Sequence, residues 1–396
     1  MSAITIVGGV YHERCIWPEW DFVYGSGGRA AVALSSQVER VTLQGYASAE
    51  IRRLFANEVA LCGLNFVPVD VEEGISFEYV HCMSNPVIRP SLARIARGTP
   101  IRVSDEAVLR IGMLEGDAVV DAKWCVYDPQ SAFNPAHFGA NGSKAVHLAI
   151  VSNRREVLAL TGASNAIDGA RLLVEQGAEV VVVKCGPAGA LVVTREGEAT
   201  VPAFRSQRVW TIGSGDVFAA IFAAQWAVHR ESPVVAAELA SKAVASYVDT
   251  MSLPSPRAEQ LRATKLEELV TRPGKVYLAS PFFTLGQRWL VDEARRCLQD
   301  LGLDVFSPAH DVGTGNAEEV GPADIAALKE CDRVFAILDG MDSGTIFETG
   351  YARSEDLPVY GLAQAARAED LKMLVGTDCK IFDDFVTALH HTAWKT

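Results

Sequence analysis

The chain has 396 residues, 49% of them apolar and 21% charged, which is ordinary for a globular protein and unlike a disordered one. Its formal net charge of −13 argues against a nucleic-acid polymer or an anionic membrane surface as a partner. The length predicts two or three domains.

The first residues, MSAITIVGGV, have no basic region before their apolar stretch, so we interpret them as a strand and not as a signal peptide. No apolar run approaches the roughly 18 residues that a membrane span needs. The eight cysteines contain no CxxC pair, which indicates reduced residues in a cytoplasmic protein. We interpret His390 and His391 as surface residues, and we find no metal site built from side chains alone.

Residues 1–255 alternate strand-like and helix-like segments. A glycine-rich turn at Gly25–Gly28 precedes a helical pattern, and residues 118–128 and 178–193 form apolar strand patterns. This alternation predicts an α/β domain with a mostly parallel sheet.

Residues 256–273 are rich in proline and charge, and we interpret them as a linker. Residues 274–396 then begin a second alternating series, in which VYLAS is a strand, Pro322 begins a helix and RVFAILDG is another strand. They predict a smaller, doubly wound parallel sheet of the flavodoxin or Rossmann type, which would bind ligands beyond the carboxyl ends of its strands.

In the first domain, the segment TIGSGDVFAAIFAAQWA joins a Gly-Ser-Gly turn to an apolar helix. Such a turn directs backbone amides at one point, where the helix dipole adds positive potential for a phosphate. Asp216 in the first helical turn could then accept a proton from an attacking hydroxyl. The alternative is an ordinary helix-capping aspartate.

Asn153 and Glu156 lie one helical turn apart in SNRREVLALTG, a spacing suited to holding Mg²⁺ through water. The segment KCGPAGALVV supplies a second glycine-rich turn between two strands.

Together with the early GSGG and with YDPQ (127–130), these motifs resemble the ribokinase-like PfkB family of carbohydrate and nucleoside kinases over roughly residues 1 to 260. The resemblance implies a sheet with a small lid, ATP and Mg²⁺ as cofactors, and Asp216 as the base. It implies an acceptor site at Glu13, Gly27 and Gly28. It also implies ATP and phosphate binding by Gly213, Ser214, Gly215, Asn153, Glu156, Lys184, Gly186 and Gly189.

Three positions depart from that family. Trp210 stands where members usually carry an Asp, Arg29 replaces a usual Asn, and Glu13 stands where an Asp often contacts sugar hydroxyls. These differences bring monovalent-cation binding and the usual sugar specificity into question, and they leave open a degenerate kinase used as a scaffold.

In the second domain, DSGTIFETGYA follows a strand and places Glu348 in the first turn of a predicted helix. One interpretation is a capping box formed by Thr345 and Glu348. The other is a catalytic carboxylate at the end of a strand, kept ionised by the helix dipole.

With VYLASPFF and AILDG, this segment resembles nucleoside 2-deoxyribosyltransferases and the related deoxynucleotide N-hydrolases. The resemblance implies Glu348 as the nucleophile, with Asp342 beside the sugar and Asp324 handling the proton of the base. Substrate contacts are expected from Phe282, Phe283, Ser343 and Gly344, while Asp332 is left out as structural. No cofactor is expected in this domain.

We therefore expect a bifunctional enzyme that cleaves or exchanges an N-glycosidic bond and phosphorylates a sugar or nucleoside. The alternative is a nucleoside 5′-phosphate N-hydrolase whose kinase-like half only binds a nucleotide. In either case the partners of the chain would be small molecules. The resemblance of the second domain to nucleoside 2-deoxyribosyltransferases implies a homo-oligomer. Hydrolase and transferase activity remain open at this point.

Overall fold

The computed structural model describes residues 2–131 and 134–394. The chain divides into a first compact unit, Met1–Ser206 with Trp210–Leu269, and a second, Gln207–Val209 with Val270–Thr396. Most of the segment interpreted as a linker, residues 256–269, belongs to the first unit.

Within the described residues, the first unit has a nine-stranded sheet in the order β13-β12-β11-β10-β9-β8-β1-β4-β5. Its strands are β1 Ala3–Val7, β4 Arg40–Ala47, β5 Asn65–Asp70, β8 Ile101–Ile111, β9 Ala118–Asp128, β10 Lys144–Asn153, β11 Val180–Lys184, β12 Ala190–Thr194 and β13 Glu198–Val201. All neighbours are parallel except at β11–β12 and β12–β13. The predicted mostly parallel α/β sheet is confirmed.

A separate four-stranded sheet in the order β3-β2-β6-β7 was not predicted strand by strand. Its strands are β2 His12–Cys15, β3 Trp20–Val23, β6 Ser76–Tyr79 and β7 Val87–Arg89. They are too short to give a clear period-two pattern, but the alternation within β2 buries Glu13 and exposes Arg14. The small sheet thus carries one carboxylate on its buried face.

The helices of the first unit are α1 Gly25–Leu34, α2 Ala49–Leu61, α3 Arg154–Thr161, α4 Ala166–Glu175, α5 Ser214–Ala223, α6 Pro233–Thr250 and α7 Ala258–Ala263. The predicted glycine turn at Gly25–Gly28 is in fact the first turn of α1. A Cβ on Gly27 would lie 2.6 Å from the Gly8 carbonyl carbon, so glycine lets α1 approach the end of β1 closely.

The second unit has, among the residues described, five parallel strands in the order β15-β14-β16-β17-β18. They are β14 Lys275–Ala279, β15 Asp304–Phe306, β16 Arg333–Ile337, β17 Val359–Leu362 and β18 Lys380–Phe382. The order is that of a flavodoxin-like doubly wound sheet, as predicted.

The helices of the second unit are α8 Leu285–Asp300, α9 Pro308–Asp311, α10 Ala317–Lys329, α11 Ser343–Ser354, α12 Lys372–Gly376 and α13 Phe385–Ala393. The prediction that Pro322 begins a helix was wrong. Helix α10 begins five residues earlier because the Asn316 side chain accepts a hydrogen bond of 3.0 Å from the Glu319 amide and caps the helix there.

The prediction that His390 lies on the surface was also wrong. It belongs to α13, whose residues are nearly all buried, and only 6% of its surface is exposed. Burial lowers the pKa of His390 to about 4, with a smaller contribution from His391.

Across residues 2–131 and 134–394, no helix combines the length and the apolar character that crossing a bilayer would require.

Candidate active sites

A cavity of about 550 Å³ opens in the first unit, near the carboxyl ends of β9, β10 and β11. Eight of the residues that the sequence singled out line it: Glu13, Asn153, Glu156, Lys184, Gly186, Gly213, Gly215 and Asp216. The structure therefore places three expected features around one cavity: the base Asp216, the glycine turn expected to bind phosphate, and the two residues expected to hold Mg²⁺, Asn153 and Glu156.

Four other predicted residues, Gly27, Gly28, Ser214 and Gly189, do not line this cavity. The cavity is lined by Gly25 and Ser26 of α1 and not by Gly27 and Gly28, which pack within the fold. The Ser214 hydroxyl donates to the Thr211 carbonyl at 2.9 Å. Gly189 has a φ of +82°, and a Cβ there would lie 2.0 Å from the Val201 carbonyl oxygen.

Asp216 is the third residue of α5 and is buried. One carboxylate oxygen accepts a hydrogen bond of 3.0 Å from Arg29 Nη1, and the other accepts one of 3.0 Å from Gln130 Nε2. Burial raises the pKa of Asp216 to about 6, Arg29 opposes that shift, and Glu13 and Asp128 add to it. The carboxylate is thus mostly ionised at neutral pH.

Arg29 lies between two carboxylates and is 1% exposed. Its Nη1 donates to Glu13 Oε1 at 3.1 Å, and its Nη2 donates to Glu13 Oε2. Its Nε donates to the Tyr247 hydroxyl at 3.1 Å. Arg29, one of the three residues that depart from the family pattern, therefore connects Glu13, Asp216 and Tyr247 on one side of the cavity.

A second ion pair lies on the other side. Lys184 Nζ donates to Asp128 Oδ2 at 2.5 Å. Burial disfavours the ammonium, but the carboxylates of Asp128, Glu156 and Asp216 together outweigh it, and the pKa of Lys184 is raised. Gln130, whose φ is +50°, also donates from Nε2 to Asp128 at 3.4 Å and so bridges Asp128 and Asp216.

Asn153 and Glu156 form a reciprocal capping box at the start of α3. Asn153 Oδ1 accepts from the Glu156 amide at 3.0 Å, and Glu156 Oε2 accepts from the Asn153 amide at 2.8 Å. Burial, and then Asp128, raise the pKa of Glu156. Both side chains line the cavity, and their oxygen atoms are the ligand type that Mg²⁺ prefers, so the pair fits a hydrated ion.

In the second unit, the Tyr277 hydroxyl donates a hydrogen bond of 2.8 Å to Glu348 Oε1. Burial raises the pKa of Glu348 to about 7, the Tyr277 hydrogen bond lowers it, and the charges of Asp324 and Asp342 raise it. Glu348 lies on α11, which begins beyond the carboxyl edge of the sheet after β16, and Tyr277 reaches it from the middle of β14, the adjacent parallel strand.

Helix α11 begins at Ser343, so Glu348 lies in its second turn and not in the first. The predicted cap by Thr345 was also wrong. Asp342 is the capping residue, and its Oδ2 accepts from the Thr345 amide at 2.9 Å and from the Thr345 hydroxyl at 3.0 Å. Glu348 is therefore not part of the cap.

Asp324 is the other acidic neighbour of Glu348 and is 9% exposed. Its Oδ1 is buried and, among the described residues, has no hydrogen-bond partner. Burial raises the pKa of Asp324. Such a carboxyl group holds a proton more readily than an exposed aspartate does.

The expected substrate contacts are at this same edge. Ser343 and Gly344 are the first two residues of α11, and both are exposed. The rings of Phe282 and Phe283 stack with centroids 5.5 Å apart, and Phe283 is 72% exposed. Asp332 accepts from the Lys275 amide at 2.6 Å and joins the ends of two strands.

Sequence reasoning missed four residues of these sites: Asp128, Gln130, Tyr247 and Tyr277. Asp128 and Gln130 lie in YDPQ, and Tyr277 lies in VYLASPFF, so both motifs had been identified. A polar residue in an otherwise apolar strand was the available signal for Tyr277. Tyr247 lies near the carboxyl end of the long helix α6 and gave no signal.

Comparison with known families assigns the two parts of the chain separately. Residues 131–256 match the model of the pfkB family carbohydrate kinases. Residues 276–381 match the model of the nucleoside 2-deoxyribosyltransferases.

Two curated relatives, the deoxyribokinases of Salmonella typhi and Salmonella typhimurium, are 41% identical to this chain over 78 residues, which are 18% of it. The chain spans only 26% of the length of those relatives.

Solved structures match over a longer stretch. A fructokinase from Vibrio cholerae O395 has a TM-score of 0.50 at 15% identity, covering 66% of this chain and 98% of its own. The ribokinase of Thermotoga maritima has a TM-score of 0.49 at 16% identity, covering 66% of this chain and 99% of its own. At such identity the fructokinase match indicates fold alone, and that fold is ribokinase-like.

Proposed function

Because the chain is a fusion of a PfkB-like carbohydrate kinase domain with a nucleoside 2-deoxyribosyltransferase-like domain, we propose that it is a bifunctional enzyme of nucleoside or nucleotide metabolism. The second unit cleaves or exchanges an N-glycosidic bond. The first unit transfers a phosphoryl group from ATP to a hydroxyl of a sugar or nucleoside.

The observation that carries the proposal is the Tyr277–Glu348 hydrogen bond inside a cluster of carboxyl groups. Glu348 attacks C1′ of the deoxyribose, the C1′–N bond breaks, and the departing base takes its proton from Asp324. Tyr277 stabilises the attacking carboxylate by donating to it. Water then attacks C1′, gives its proton to Asp324 and releases the free sugar, or a second base attacks C1′, loses its proton to Asp324 and leaves as a new nucleoside. Either step breaks the bond to Glu348 and restores its carboxylate.

In the first unit, Asp216 accepts the proton of the acceptor hydroxyl as that oxygen attacks the γ-phosphate of ATP, the bond from the γ-phosphorus to the bridging oxygen breaks, and ADP leaves. The amides at the start of α5 and the Lys184 ammonium face the charge of the phosphate. Glu156 and Asn153 would hold the hydrated Mg²⁺, which supplies charge neutralisation for the ATP phosphates.

Joining the two activities gives them a shared intermediate. The local similarity to deoxyribokinases supports the order in which the second unit releases deoxyribose and the first phosphorylates it. The opposite order, with the kinase making the 5′-phosphate that is then cleaved, uses the same residues.

One observation favours a second candidate. Both oxygens of Asp216 already accept hydrogen bonds, from Arg29 and Gln130, and such a carboxylate is a weaker base than one that faces only the substrate. The second candidate is a nucleoside 5′-phosphate N-hydrolase whose kinase-like unit binds a nucleotide without turning it over.

Product analysis by chromatography tests these functions. The protein is incubated with deoxynucleosides, their 5′-monophosphates and free deoxyribose, with and without ATP and Mg²⁺. We expect free base that disappears in Glu348→Ala, and a phosphorylated product that disappears in Asp216→Ala. Base release without ATP consumption on any acceptor would favour the second candidate. No base release from any substrate would exclude both.

A further inference from the structure

Arg29 joins parts of the first unit that are distant in sequence. Its guanidinium contacts Glu13 on β2, Asp216 on α5 and Tyr247 on α6. We propose that Arg29 is the positioning residue of the phosphoryl-acceptor site, because it holds the Asp216 carboxylate in one direction and ties it to the small sheet through Glu13. This proposal rests on the kinase function proposed for the first unit.

The geometry leaves the guanidinium little freedom. Nη1 is shared between Glu13 at 3.1 Å and Asp216 at 3.0 Å. At the opposite end, Nε is anchored on Tyr247, whose own hydroxyl donates to the Ile212 carbonyl at 2.9 Å. Contacts in three directions within one plane suit a guanidinium and cannot be reproduced by the single ammonium of a lysine.

Arg29 also packs against the phosphate turn. Gly213 has a φ of +76°, and a Cβ at this position would lie 2.1 Å from Arg29 Nε. The arginine side chain therefore occupies the space beside the turn whose residues Gly213 and Gly215 line the cavity. The same residue sets the place of the carboxylate relative to the start of α5.

Charge gives Arg29 a second effect on Asp216. In the part of the chain that the structure describes, the charged and titratable groups that face Asp216 come from five elements: Glu13 on β2, Arg29 on α1, Tyr79 on β6, Asp128 at the end of β9 and Lys184 at the end of β11. Of the two cations, Lys184 is paired with Asp128, while Arg29 bonds Asp216 directly. Without Arg29, burial and the two carboxylates act on Asp216 with less opposition, so its pKa rises.

The test compares Arg29→Gln and Arg29→Lys with the unaltered full chain. The Asp216 carboxyl is titrated by ¹³C NMR, with its signal assigned by Asp216→Asn, and kcat and KM are measured against pH with ATP, Mg²⁺ and deoxyribose. In Arg29→Gln we expect the pKa of Asp216 to rise by at least about one unit. We also expect kcat at pH 7 to fall by at least about tenfold, with the KM for ATP unchanged.

Arg29→Lys keeps the positive charge and so protects against a variant that fails to fold. We expect the pKa of Asp216 in Arg29→Lys to stay near that of the unaltered protein. We expect kcat still to fall, because a lysine does not hold the Asp216 carboxylate in its direction. Full kcat in Arg29→Lys, or an unshifted Asp216 in Arg29→Gln, would overturn the proposal.

Arg110→Gln is the matched control. Arg110 is also buried in the first unit, at 4% exposure, but it bonds Phe138, Ser143 and Asp117 and does not line the cavity. We expect lower stability and an unchanged Asp216 titration. A protein that phosphorylates no acceptor would contradict the kinase function, whereas the NMR titration would still decide whether Arg29 controls Asp216.

Discussion

Tyr277 and Glu348 are 71 positions apart in the chain, and a hydrogen bond of 2.8 Å joins their side chains. The tyrosine comes from a central strand and the glutamate from the helix after the neighbouring strand. The phenol hydroxyl donates to the carboxylate and so stabilises the ionised form of Glu348. The reactivity of this carboxylate therefore depends on a residue of the neighbouring strand.

Replacing Tyr277 by Phe removes the hydrogen bond that lowers the pKa of Glu348, so that pKa rises above its value of about 7. We expect the acid limb of base release to move up by about one pH unit, and the rate at pH 7 to fall by about fivefold as the ionised fraction of Glu348 decreases. The pH–rate profile of base release measures both. Tyr360→Phe, a buried tyrosine on β17, is the control and should leave the profile in place.

Glu348→Gln should abolish base release and stabilise the protein above neutral pH. The carboxyl group has a pKa of about 7 in the folded state and about 4.5 when exposed, so the folded state binds more protons between these values and stability falls as pH rises. Removing the charge should raise the free energy of unfolding by up to about 3 kcal/mol at pH 8 and leave it unchanged at pH 4. Calorimetric Tm values at both pH values would contradict this if the variant gained equally at each.

Gly213→Ala should impair the first unit more than its backbone angle alone requires. Alanine at a φ of +76° is strained by about 1 kcal/mol, and its Cβ would also collide with Arg29. Gly63→Ala is the control, since Gly63 has a φ of +61° with nothing within 4 Å of an added Cβ. We expect loss of phosphorylation only in Gly213→Ala, and equal urea midpoints for the two variants would be the contrary result.

Gln130 combines a positive φ of +50° with a side chain that bridges Asp128 and Asp216. Gln130→Gly should relieve the backbone strain, worth about 1 kcal/mol, and remove the amide. We therefore expect a Tm at or above that of the unaltered protein, together with a several-fold lower kcat for phosphorylation. Gln130→Ala keeps the strain and loses the amide, so it should be less stable than Gln130→Gly and no more active.

His390 should make the second unit sensitive to acid. Its pKa is about 4 in the folded state and about 6.5 when exposed, so the unfolded chain binds more protons between these values. Stability should thus fall as pH decreases from about 6.5 to about 4. His390→Leu should flatten the dependence of Tm on pH over that interval, and an unchanged slope would contradict the role of burial.

Local features, such as turns and helix starts, could be predicted from the sequence. Contacts between residues that are far apart in the chain could not. Asp216 follows a glycine-rich turn and Glu348 follows a strand and a turn, so the location of each near the start of a helix could be expected. The sequence predicted Thr345 as the cap of α11 because Thr-x-x-Glu fits a capping box. The cap is Asp342, three residues earlier, whose side chain accepts a hydrogen bond from the Thr345 amide.

The partners of these carboxylates could not be predicted in the same way. Arg29 meets Tyr247 across 218 positions and Asp216 across 187, and no periodicity reports such a contact. The prediction that His390 is exposed failed for a similar reason. Its burial depends on how α13 packs on the sheet and not on the residues next to it in the sequence.

The contact between Arg29 and Gly213 has a consequence for anyone who redesigns the proposed acceptor site. As long as the arginine fills the space beside the turn, position 213 accepts no side chain, and a smaller residue at position 29 would leave a gap next to that glycine. A mutant library that varies the two positions one at a time would therefore sample mostly damaged proteins. New acceptor specificities should be sought by exchanging positions 29 and 213 together.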